Sequence, residues 1–276
     1  MIDTEGFLWV LHYLLPFFYF STVMTYLVLF YTENTAAKRL ARPLLLTSVL
    51  LHLIYLAVFT AYFQHIPLVS VHQVFGAVGF AVAAVYLWVE RRSDTQHTGP
   101  FVLFLVLVCQ VVSATHPRLD HSVPDLLKSL LFSFHVSTAV LGYSAFALAA
   151  IYGLIYLLLY NAMRAKRFGI IFHRLPPLIV LDRMNFYSAT AGFAFLTVAM
   201  ILGVVWSVLA KKGDALDPKL WVAVLTWLLY GLSIAGRQYR SWRGPRLAFS
   251  SLLGFVIVLF SMFAVNFFFT KFHSFT

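Results

Sequence analysis

A chain of 276 residues that is 61% hydrophobic and only 11% charged is not an ordinary soluble domain, which carries about twice that charge fraction. Its net charge of +10 invites a nucleic-acid reading, but the basic residues fall between long apolar runs and meet anionic lipid instead, so nucleic acid is set aside as a partner. The one cysteine, Cys109, lies in an apolar segment, which excludes an internal disulfide, a CxxC redox pair and covalent haem attachment through CxxCH.

Several windows of about 18 or more residues lack charge, and backbone groups in lipid must be satisfied within their own segment, so these runs read as transmembrane helices. The start, MIDTEGF, is acidic and leads into a run long enough to span, so no cleaved signal is expected. The first span covers about residues 7–31 and carries His12; the second covers about 43–63 with His52 well inside. The third, about 68–89, is headed by His72, and the fourth, about 100–115, holds Cys109. The fifth runs about 128–160 and contains FSFHVSTAVLGYSAF with His135; the sixth runs about 186–210 and the seventh about 219–236. The eighth, about 247–270, leads into FFFTKFHSFT and His273. Pro43, Pro67, Gly99-Pro100, Pro117, Pro176-Pro177, Pro218 and Gly244-Pro245 mark the breaks. The fold class is all-α, a polytopic transmembrane helix bundle forming a single transmembrane domain over 1–276, with the first four spans in 1–115.

The loops sort by charge. One alternate set holds Lys38, Arg39, Arg42, Arg91, Arg92, Arg164, Lys166, Arg167, Arg174, Arg183, Arg237, Arg240, Arg243 and Arg246; the other holds Arg118, Lys128, Lys211, Lys212, Lys219 and Lys271. The positive-inside rule makes the first set cytoplasmic and both termini external. His97 and His173 then lie in cytoplasmic loops, while His12, His65, His72, His116, His121, His135 and His273 lie at or near the outer face. His65, His116 and His121 read as interfacial side chains. The spacing in HPRLDH does not make a metal site by itself.

His135 and His72 differ, because each heads a stripe of small residues at helical spacing. Ala139, Gly142, Ala149 and Gly153 follow His135; Gly76, Gly79 and Ala83 follow His72. Small residues mark the face on which transmembrane helices approach closely, so both imidazoles point into the bundle. Such a histidine either hydrogen-bonds across helices or serves as an axial ligand to haem. His273 closes the last span on the side from which His135 enters the fifth, about 10 Å below the surface at about 1.5 Å per residue. Two imidazoles at similar depth could sandwich one iron.

LKSLLFSFHVSTAVLGYSAFALA and NFFFTKFHSF resemble two stretches of the cytochrome c assembly family, each carrying a histidine. LDRMNFYSATAGFAFLTVAMILGVVW and LDPKLWVAVLTWLLYG resemble the helices flanking that family's tryptophan-rich external loop. The likeness runs from about 125 to 276 and is weaker around His52. The resemblance implies that His135 and His273 are external axial ligands of a non-covalent haem b, and that His52 is one of a second, transmembrane pair. Two departures stand out. The loop SVLAKKGDALDPKLW keeps Trp206, Asp217, Pro218, Lys219 and Trp221 but little of the aromatic platform, and no histidine stands near Ala235, where the second transmembrane one is expected. WLLYGLSIAGRQYRSWRGPRLAF is closer to the small eight-span branch with the HemX-type proteins.

The expected function is a haem-binding protein of a bacterial inner membrane that handles haem for cytochrome c biogenesis or regulates haem synthesis. The expected site residues are His135 and His273 at the iron, with His52, His72, Trp206 and Trp221 as further cofactor contacts. The expected partners are the lipid bilayer and other membrane proteins of a haem-handling or respiratory assembly. An electron-transfer cytochrome b, a structural subunit of a respiratory complex and a transporter are the alternatives. Acidic residues avoid the spans, which speaks against ion coupling. No hydrolase triad, phosphate loop or nucleotide motif is present, so the chain is not expected to be an enzyme on its own.

Overall fold

The computed structural model describes residues 3–93, 96–115, 123–209, 218–240 and 242–260. Among these residues there are nine α-helices and no strand: α1 Thr4–Thr32, α2 Thr35–Phe63, α3 Val71–Ser93, α4 Gly99–Thr115, α5 Leu130–Arg164, α6 Ile170–Arg174, α7 Leu178–Leu209, α8 Pro218–Arg240 and α9 Pro245–Phe260. Seven of them are long and apolar enough to cross a membrane, so this is a multi-pass helical membrane protein. The described part of the expected eighth span, α9, has 16 residues; the rest of that span, with His273, lies outside the described residues.

The helices run past the expected spans at their charged ends. α2 begins at Thr35 and not at residue 43, because Asn34 caps it: its side chain accepts from the amides of Ala36 and Ala37. Pro43 therefore sits inside the helix and does not break it. Glu33, left-handed at φ 52°, ends α1 immediately before this cap, so α1 and α2 form a tight hairpin. α7 begins at Leu178, about two turns before residue 186, and carries Asp182 and Arg183 on that extension. The longest loop contains the single-turn helix α6, whose Arg174 pairs with Glu33.

The chain forms two compact units, residues 1–133 with 165–176, and residues 134–164 with 177–276. In the first unit α1 packs on α2 and α4, and α3 packs on α4 and α2. The small-residue stripe of α3 faces α4: a methyl on Gly76 would stand 2.8 Å from Ser113 Oγ, and one on Gly79 3.3 Å from Cys109 Cβ. Toward the α1–α2 hairpin, Glu90 is fully buried and accepts hydrogen bonds from Arg42 Nε and the Tyr26 hydroxyl. A buried carboxylate is tolerated only with such partners.

In the second unit the stripe of α5 faces α7 and α9. A methyl on Gly142 would stand 3.2 Å from the Leu196 amide nitrogen, and one on Gly153 2.9 Å from the Ala248 carbonyl. Phe146 stacks on Tyr230 with ring centres 3.7 Å apart, and Leu196, Ala189 and Ala149 close the core around them. Asn185 donates to the Ala149 carbonyl at 2.7 Å and accepts from the Ser251 hydroxyl at 3.2 Å. Asp182, 6% exposed, accepts from Arg237 at 2.7 Å and from the Gly244 amide at 2.9 Å, so one carboxylate ties α7, α8 and the turn into α9.

Candidate functional site

His135 lies in the second turn of α5, and its half-buried ring faces α7. Its Nδ1 donates to the Ala199 carbonyl at 2.8 Å. A carbonyl only accepts, so in the neutral ring the proton sits on Nδ1 and the lone pair on Nε2. One turn further along α7, Gly203 makes room for the ring: a methyl there would stand 2.7 Å from His135 Cε1. The interhelical bond and the ligand role, alternatives on sequence alone, use different nitrogens and are compatible. This is the arrangement of metal-binding histidines, whose second nitrogen is anchored to a carbonyl or carboxylate.

The other expected site residues are placed as follows. Trp206 is half-buried near the end of α7, and Trp221, 60% exposed, stands in the first turn of α8. They flank residues 210–217, which lie outside the described residues, as does His273. His52 and His72 belong to the first unit, where the structure brings them together with a third histidine, His12. These three, with Tyr55, Gln110 and Ser113, line one cavity between α1, α2, α3 and α4. It offers about 10 Å³ to the centre of a water molecule, room for one water-sized occupant. That is far below the roughly 300 Å³ at which cofactor-sized pockets begin.

His12 and Gln110 were not singled out in the sequence. The signal for His12 is available in hindsight: folding the chain at Glu33-Asn34 sets His12 opposite Tyr55, and their side chains meet at 3.1 Å. His52 pairs likewise with the Tyr19 hydroxyl at 3.1 Å. No comparable pattern marks Gln110, because its relation to His12 depends on how α4 seats against α1.

Residues 9–273 match the family described as cytochrome C assembly protein. The chain belongs to that family. Among its relatives, the "Cytochrome c biogenesis protein CcsA" of Guillardia theta is 28% identical over 233 residues, 76% of this chain and 77% of the relative. The "Protein HemX" of Brevibacillus brevis is 28% identical over 251 residues, covering 88% of this chain and 90% of its own length. The "Protein HemX" of Bacillus subtilis (strain 168) is 23% identical over 252 residues, 90% and 91% of the two chains. Both CcsA and HemX proteins are thus homologues of this cytochrome c assembly family member, and the HemX matches run nearly end to end.

Proposed function

We propose that this membrane protein holds haem b non-covalently, with His135 and His273 as its axial ligands, and serves as a haem carrier or regulatory module in cytochrome c biogenesis or haem synthesis. The observation that carries this reading is the His135–Ala199 bond, which fixes the tautomer and leaves Nε2 as the ligating nitrogen. Gly203 supports it by admitting the ring against α7. The haem would supply a one-electron iron centre or a transferable porphyrin. The chain's own part is to present one imidazole from α5, to anchor its far nitrogen, and to surround it with apolar helix faces that exclude water. Two histidines leave no open coordination position, which suits holding haem or passing electrons more than oxygen chemistry. Trp206 and Trp221, at the helix ends beside residues 210–217, are assigned as aromatic contacts to the porphyrin edge.

The basic loops support placing this end of the molecule on the non-cytoplasmic side. The bacterial origin of the HemX relatives supports a bacterial inner membrane. The names of the relatives support partners from a cytochrome c or haem-handling assembly. The test is an absorbance scan of the purified chain after haem supplementation. A Soret band is expected in the wild type, and a weaker one in His135→Ala and in His273→Ala. Unchanged spectra in both variants would remove the ligand assignment.

A further inference from the structure

The cavity in the first unit is independent of the haem proposal, and its lining is unusual for a membrane interior. Nothing within the helices accounts for two of its polar atoms. His12 is 4% exposed and its Nε2 is buried with no hydrogen-bond partner; the Ser113 backbone approaches the ring without bonding that nitrogen. Gln110 is 1% exposed and its Oε1 is likewise buried and unpaired. An orphaned polar atom in such a setting costs about 1–3 kcal/mol, so two beside one cavity point to an occupant. His52, 1% exposed, lines the same space. The Tyr55 and Tyr19 hydroxyls engage the Nδ1 atoms of His12 and His52, so in each ring Nε2 remains as the second nitrogen.

We propose that this cavity binds one monovalent copper ion, Cu(I), through Nε2 of His12 and of His52, with Gln110 Oε1 as a weaker third ligand. Size comes first: the space admits one atom-sized occupant and no organic ring. Ligand count comes second. Among the described residues no three His, Cys, Asp or Glu side chains converge as a metal centre. Zinc, which takes four ligands, therefore lacks a set here, whereas two imidazoles satisfy a two- or three-coordinate d¹⁰ Cu(I). Charge comes third. Every side chain lining the cavity is neutral when its histidines are neutral, and burial cost rises with the square of the charge, so a monovalent ion is far cheaper here than a divalent one. With copper on Nε2 the ring proton sits on Nδ1, where the tyrosine oxygen accepts it, the usual support for a ligating histidine.

The experiment uses the purified full chain in detergent, under anaerobic conditions, with Cu(I) supplied from a chromophoric chelator and bound copper read by loss of the chelate's colour. The wild type is expected to take about one copper per chain. His12→Ala and His52→Ala should each weaken binding at least tenfold. Gln110→Met should tighten it, because a thioether is a softer ligand than an amide oxygen. That gain separates a ligand role from simple misfolding of the alanine variants. No copper retained by the wild type, the result for a bridging water, would overturn the proposal. So would equal retention in both histidine variants, preferential uptake of Zn(II), or no gain in Gln110→Met. Loss of the Soret band in His12→Ala with copper binding intact would overturn it too, by giving the site to haem. A failure at His135 leaves copper uptake unchanged, so the two readings fail separately.

Discussion

At the scale of single residues, the His135 ring is held by two neighbours on α7, and each can be tested alone. Gly203→Ala would place a methyl 2.7 Å from Cε1, so either the ring or the helix must move. Overpacking of this kind costs about 1–3 kcal/mol. We expect a lower melting temperature in detergent and a weaker Soret band per chain, with the wild-type band shape lost in whatever haem remains. Normal spectra in Gly203→Ala would mean that the ring does not need its present position. The ion pair at the far end of this unit makes an asymmetric prediction. Arg237→Ala strands the buried Asp182 carboxylate and should cost about 3–5 kcal/mol, the range for a broken buried pair. Asp182→Asn should cost less. Asn can still accept from the Gly244 amide, and the longer arginine can turn toward water. Thermal shift of both variants checks the order; an Asp182→Asn more damaging than Arg237→Ala would contradict it.

At the scale of helices, what was legible in the sequence was the small-residue face. Gly142 and Gly153 at helical spacing below His135 marked the side of α5 that meets other helices, and the structure packs both against neighbouring backbone. The reason is steric and local, so a sequence shows it. Gly153→Ala should accordingly push α5 from α9, at about 1–3 kcal/mol, while Gly169→Ala, with open space around it, should change little. Helix ends were less legible. Prolines were read as breaks, yet Pro43 sits inside α2 because the Asn34 cap decides where that helix starts. The cavity lined by His12 and Gln110 was not legible at all. Its two unpaired atoms come from α1 and α4, and their meeting depends on helix seating and not on any spacing along the chain.

At the scale of the whole molecule, hydropathy alone announced a multi-pass helical protein, because lipid leaves a helix as the simplest way to satisfy a spanning backbone. The order of the histidine-bearing motifs announced the family, which the match over residues 9–273 bears out. The distribution of Arg and Lys predicts external termini. Alkaline phosphatase fused after Thr276 should therefore be active in a bacterial host, and a green fluorescent protein at the same place should stay dark. The opposite pattern would invert the molecule and move the His135 end to the cytoplasm. The claim on which the functional account rests is that His135 and His273 bind one haem without a covalent bond. Pyridine haemochrome analysis of the haem-supplemented protein measures this most directly. We predict a b-type spectrum at about one haem per chain, falling to a small fraction of that in His135→Ala and in His273→Ala. A c-type spectrum, no haem in folded wild-type protein, or undiminished haem in both variants would contradict it.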